Sequence, residues 1–149
     1  MSVLALAGGV GGAKLANGLA GVVPPGALTI AVNTGDDFVH MGLHISPDID
    51  SVTYALAGMN DSVRGWGVAD ESWAFMDATR RLGGESWFNL GDRDLATHVL
   101  RTALLREGTL SSVTADIAAR LGIGPAIVPM SDDPVRSMID TDQGEMAFQ

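Results

Sequence analysis

A short apolar run, Ser2 to Ala7, ends on five residues of which four are glycine, Gly8-Gly9-Val10-Gly11-Gly12. A helix-compatible segment, Ala13 to Leu19, follows at once, and Pro24-Pro25-Gly26 breaks the chain before a second apolar run, Leu28 to Val32. Continuous apolar runs of this length suit strands in the middle of a parallel sheet. Strand, helix and strand in so short a span leave one handed solution, the right-handed parallel crossover.

The glycine turn is a candidate anion site, because glycine lets backbone approach a phosphate and the free N–H groups of a helix start point at it. It is not a Walker A loop: Lys14 follows Ala13 and precedes Leu15. Nor is it the dinucleotide fingerprint, since Lys14 stands where the third glycine belongs. A plain tight turn between strand and helix is the alternative. The residues favour phosphate binding without naming the phosphate.

Beyond Val32 the chain turns acidic. Asn33-Thr34-Gly35-Asp36-Asp37 and Ser46-Pro47-Asp48-Ile49-Asp50 place four carboxylates around two histidines, His40 and His44. In an open α/β sheet, ligands bind beyond the carboxyl ends of the strands, which is where this loop leaves the second run. A helix cap explains one aspartate of the four, because a carboxylate accepts orphan N–H groups. The others repel one another unless a cation or a proton intervenes, and hard oxygen ligands suit Mg²⁺. Removing one carboxylate is then expected to leave the fold as stable as before, or more so without metal. His40 and His44 are expected on loop, as hydrogen-bonding residues rather than zinc ligands.

Composition narrows the class. A net charge of -9 argues against nucleic acid as a partner. With no cysteine there is no disulfide, iron–sulfur cluster or thiolate zinc site, which fits a cytoplasmic protein. The N-terminal run lacks the positive flank of a signal peptide, and no stretch reaches the roughly 18 apolar residues of a membrane span, so no membrane partner is expected.

Residues 59–124 read as a helical insert without strands. The spacing predicts helices over Trp73–Leu82 and Leu95–Leu105, with Asp92 or Asp94 as N-cap of the latter, and another through Leu110, Val113, Ile117 and Leu121. Trp66, Trp73 and Trp87 are expected in its core, with stacking on a flat ligand as the alternative. Ala126 to Met130 then forms a third strand opening into Ser131-Asp132-Asp133-Pro134-Val135-Arg136, a second acidic loop in which Arg136 is a bidentate phosphate donor. Ser131 and Asp132 taken singly are caps of a turn, but two acidic loops at one sheet edge argue for a shared site. Two alternating strands around a turn end the sequence. The expected architecture is α/β: a Rossmann-like parallel sheet (1–58 and 125–149) with an inserted small α-helical subdomain (59–124). So few strands and helices leave apolar sheet surface uncovered, and a truncated chain is expected.

Five segments together resemble the CofD/FbiA family: Gly8 to Leu15, Val32 to Asp37, Gly42 to Asp50, Trp87 to Asp94 and Pro129 to Arg136. These are the 2-phospho-L-lactate or phosphoenolpyruvate transferases of deazaflavin coenzyme F-420 biosynthesis, and the resemblance runs through the whole chain, matching the N-terminal half of the family's length. It implies a phosphoryl-group transfer from a guanosine-diphosphate-linked three-carbon acid to the deazaflavin Fo, with release of GMP. It further implies Gly9, Gly11 and Gly12 around a diphosphate, Asp37 and Asp50 as catalytic residues holding Mg²⁺, and Asn33 and Thr34 positioning substrate. Lys14, Asp36, His44, Ser131, Asp132, Asp133 and Arg136 complete the expected substrate-binding set, and a homodimer is the expected assembly. The alternatives are a non-catalytic nucleotide- or sugar-nucleotide-binding module, or a CofD-like regulatory protein of the cell envelope.

Overall fold

The computed structural model describes residues 2–24, 26–61 and 63–148. Strand β1 (Val3–Ala7), helix α1 (Gly9–Ala20) and strand β2 (Leu28–Val32) form the expected crossover. β2 pairs in parallel with β1 on one side and with β5 (Ala126–Pro129) on the other. Among the described residues β1 stands at one end of the three strands, although its unbroken apolar run suits a central strand. One face of this sheet carries Ala5, Ala7, Ile30, Val32 and Ile127, all buried. Helices α1, α2 (Pro47–Leu56) and α5 (Leu110–Arg120) cover that face through Ala13 and Ala16, Ile49 and Val52, and Leu110 and Ala118.

The opposite face is bare. Leu6, Ala31 and Val128 lie side by side in register, and Leu4 and Leu6 are 65% and 66% exposed. A contiguous apolar strip of this kind should bind an apolar dye. Replacing both Leu4 and Leu6 by lysine is expected to abolish most of that dye fluorescence while the circular dichroism stays unchanged. Unaltered dye binding would place the apolar surface elsewhere.

The acidic stretch is not loop throughout. β3 (Phe38–His40) and β4 (Leu43–Ile45) form a hairpin whose two turn residues, Met41 (φ 50) and Gly42 (φ 76), both have positive φ. That is the twist-compatible turn for two antiparallel strands, and it puts His40 and His44 on strands. Phe38 and Ile45 then join Met76 and Leu90 in a second core with α3 (Ala74–Arg81). The helical stretch does not behave as one unit: α3 packs in this second core, whereas α5 belongs to the sheet's core.

The start of α3 and the start of α4 (Asp92–Leu104) cap each other. Glu71, before α3, accepts from the backbone N–H of Arg93 (2.7 Å) and Asp94 (3.1 Å) on α4. Asp92, on α4, accepts from the N–H of Ala74 and Phe75 on α3, each at 2.9 Å. So Asp92 caps a helix, but not the one its position in sequence suggested. The Ser72 hydroxyl and the α3 N–H groups hold its carboxyl below the usual range. A hairpin, β6 (Met138–Thr141) and β7 (Gly144–Ala147), ends the fold and is tied to the first acidic loop by Ser137 N–H to the Gly35 carbonyl (2.6 Å). Among the described residues, no helix is long and apolar enough to cross a membrane.

Candidate functional site

The two acidic loops do meet. Both open from the carboxyl ends of adjacent strands, and a cavity of about 300 Å³ lies between them, lined by Thr34, Asp37 and His44 from the first and Asp132, Asp133 and Arg136 from the second. Asp37 is buried. Its Oδ2 accepts from the Ser46 hydroxyl (2.7 Å) and stands 3.2 Å from His44 Nε2, while its Oδ1 and the Thr34 hydroxyl have no hydrogen-bond partner. Two residues of the second loop are held by the fold itself. Ser131 bonds within its own turn to Asp133, and Asp132 accepts from Ser111 N–H (2.7 Å) in the first turn of α5.

Asn33 organises the mouth of the glycine turn. Its Nδ2 donates to Asp48 (2.9 Å) and to Asp36 (3.2 Å), drawing the two carboxylates toward each other. The Asp48 carboxylate in turn lies against the turn, 3.3 Å from where a Cβ on Gly8 would stand. The glycines beyond divide their roles. Gly9 begins α1 with φ +57, a conformation side chains resist; Gly11 faces open space; a Cβ on Gly12 would sit 2.9 Å from the Ala7 backbone. Gly11 thus leaves room for a ligand, and Gly12 is there to let α1 lie close on β1.

Asp50 faces away from the polar cavity, and neither it nor Asp48 caps α2. Both of its oxygens are taken by the guanidinium of Arg101, which is 2% exposed and also donates to the His44 carbonyl. Burial works against charge on both partners: the Asp50 carboxylate more than restores the charge of Arg101, whereas burial outweighs Arg101 and His98 at Asp50 and raises its carboxyl above the usual range. The cation that relieves the crowding at Asp50 is therefore an arginine from α4. Replacing Asp50 would strand that buried charge, so a loss of stability is now the expected outcome, in place of a fold as stable or more so.

Asp50 and His98 look into a cleft of about 350 Å³ that the sequence did not predict as a site. Its walls include Trp66 and Trp87, which are 49% and 59% exposed rather than buried in a core. Trp87 is braced edge-on by His40, with ring centroids 5.1 Å apart. On the polar side the Tyr54 hydroxyl donates to Asp94 Oδ1 (2.5 Å), and Asp94 Oδ2 lies 3.2 Å from His98 Nε2. Burial opposes charge on Asp94, yet His98 and Tyr54 hold its carboxyl below the usual range. Burial, with Asp50 and Asp94 nearby, pushes the Tyr54 phenol up, so it stays a donor. Oxygen and nitrogen atoms of Asp50, Asp94 and His98 lie within 4.8 Å of one another, a spacing a metal would accept, but Arg101 already supplies the positive charge. A smaller recess of about 120 Å³ shares Ser51, Tyr54, Trp66 and Gly67 with the cleft and extends it to Val10 and Lys14 on α1.

The chain matches the family described as 2-phospho-L-lactate transferase CofD over residues 3–149. It is 44% identical to a phosphoenolpyruvate transferase of Kitasatospora aureofaciens, over 99% of this chain and 47% of the relative. It is 41% identical to a 2-phospho-L-lactate transferase of Methanosarcina acetivorans, over 99% of this chain and 48% of the relative. The chain thus spans about half the length of the curated relatives it matches. With residues 3–149 accounted for by one family, on a parallel sheet whose acidic loops converge, this chain belongs to the CofD family.

Proposed function

We propose that this chain holds a flat acceptor beside a phosphoryl-handling turn in a transferase. The group transferred is 2-phospholactyl or enolpyruvyl phosphate, taken from a guanosine-diphosphate-linked donor and moved to the deazaflavin Fo, with GMP released. One observation carries the reading: an aromatic cleft with two half-exposed tryptophans adjoins, across Ser51, Tyr54, Trp66 and Gly67, a recess lined by Lys14 at the glycine turn. A flat, partly apolar ring gains from stacking between such side chains. Backbone N–H groups from Gly9 to Gly11, together with Lys14 and Arg136, would meet the donor's phosphates.

Mg²⁺ belongs to the proposal. Asp37 fits it, having a buried carboxylate oxygen without a partner, whereas Asp50 has both oxygens on Arg101. The ion would neutralise charge on the transferring phosphoryl oxygens. Asn33, with Asp36 and Asp48 on its amide, would keep the mouth of the turn in shape, and Thr34 would turn its free hydroxyl to the donor.

Titration with Fo should quench the tryptophan fluorescence, and Trp87→Ala should weaken binding about tenfold, the scale of one lost stacking contact. Fluorescence that ignores Fo in a folded protein would remove the acceptor from this cleft.

A further inference from the structure

The geometry points to Asp94 as the residue that receives the acceptor's hydroxyl and takes its proton, an assignment that rests on the transferase reading above. Besides Tyr54, whose phenol stays protonated, three ionisable side chains line the cleft and compete for this role. Asp50 is excluded because Arg101 engages both of its oxygens. His98 is 1% exposed, with Nδ1 3.4 Å from Arg101 and Nε2 3.2 Å from Asp94 Oδ2, so its ring is too buried to take a hydroxyl directly. Asp94 remains. It lines the cleft with Trp66 and Trp87, and its side chain retains 17% exposure.

Its position is fixed from three sides: Tyr54 on Oδ1, His98 beside Oδ2, and Glu71 on its own backbone N–H. A carboxylate held this firmly keeps lone pairs for one further donor, and the acceptor hydroxyl is that donor. In the step, the hydroxyl oxygen bonds to the phosphorus bearing the three-carbon acid. The bridging P–O bond breaks, its electron pair leaves on GMP, and the hydroxyl proton passes to Asp94. Aligning the nucleophile matters more than basicity here, because such transfers have loose transition states. Asp94 is thus the catalytic residue; Tyr54 and His98 are positioning residues behind it.

A structural role would be different: Asp94 would only tie α4 to Tyr54 of α2. Asp94→Asn separates the two, because asparagine's oxygen still accepts from Tyr54 while the charge and the proton-accepting capacity are gone. In the full-length protein, Asp94→Asn should lower kcat for Fo-dependent GMP release about 10²-fold, the usual scale for a lost acid–base group. The acceptor's KM and the unfolding temperature should stay at the parent's. Tyr54→Phe, which keeps the carboxylate and loses only its anchor, should lose kcat less than Asp94→Asn does. An Asp94→Asn protein with parental kcat, or with its whole loss in acceptor KM, overturns the assignment and leaves the transferase standing. A parent that binds Fo but never releases GMP overturns the transferase reading, and this assignment with it.

Discussion

Arg101→Met should destabilise the fold by about 3–5 kcal/mol, the cost of removing one partner from a buried ion pair. Arg101 is buried, and its guanidinium holds Asp50, the His44 carbonyl and, at 3.4 Å, His98 Nδ1. Without it the Asp50 carboxylate is stranded in the interior. Domains are stable by only about 5–15 kcal/mol, so such a loss removes a large share. Asp50→Asn should also destabilise, by leaving the guanidinium under-compensated. The double variant Asp50→Leu with Arg101→Met should recover much of the loss, since a buried pair can often be exchanged for apolar residues of similar size. Chemical denaturation of the two singles and the double measures this. If Asp50→Asn proves as stable as the parent, the pair is not what holds α2 to α4.

Gly12→Val and Gly11→Ala should move stability in opposite directions, although the residues are neighbours in one turn. A Cβ on Gly12 meets the Cα and Cβ of Ala7 at 2.9 Å, and the contact includes strand backbone, which has nowhere to go. α1 must lift from β1, and overpacking of that sort typically costs about 1–3 kcal/mol, with valine's extra methyls adding to it. Gly11 meets nothing within 4 Å. Alanine there should stabilise α1 by about 0.5–1 kcal/mol, the helix advantage of alanine over glycine. If the turn binds the donor's diphosphate as proposed, the alanine methyl would intrude there, so donor binding should weaken as stability rises. Denaturation midpoints read the first pair of effects, and calorimetric titration with GDP reads the second. Equal shifts at both positions would mean that α1 does not rest on β1 as described.

Much of this arrangement was legible in the residues. Two apolar runs around a glycine turn sufficed for the crossover, and acidic stretches after both β2 and β5 sufficed to bring Asp37 and Arg136 into one cavity. What escaped were partnerships between distant positions. The four carboxylates called for a cation, but nothing local could show that Asp50's is an arginine 51 positions away. One signal did exist: Asp94, His98 and Arg101 recur at helical spacing, placing a polar stripe on one face of α4. Trp73 does pack against the second core, but Trp66 and Trp87 were misplaced for a different reason. An amphipathic ring serves a core and a cleft wall equally well, so its presence in a helical stretch cannot say which. The hairpin at Met41-Gly42 was missed because its first turn residue is a methionine with positive φ, which sequence preferences disfavour.

The crossed caps at Glu71 and Asp92 have a dynamic consequence. Each helix owes its first turn to a side chain from the other, so neither end can fray alone. In amide hydrogen exchange, the N–H groups of Ala74, Phe75, Arg93 and Asp94 should open as one cooperative unit with a common opening free energy. Gly91 is the hinge pin of that unit, since any Cβ there would overlap the Glu71 side chain. Whatever loosens the start of α3 therefore also releases Asp94, and the rim of the aromatic cleft opens in a single event.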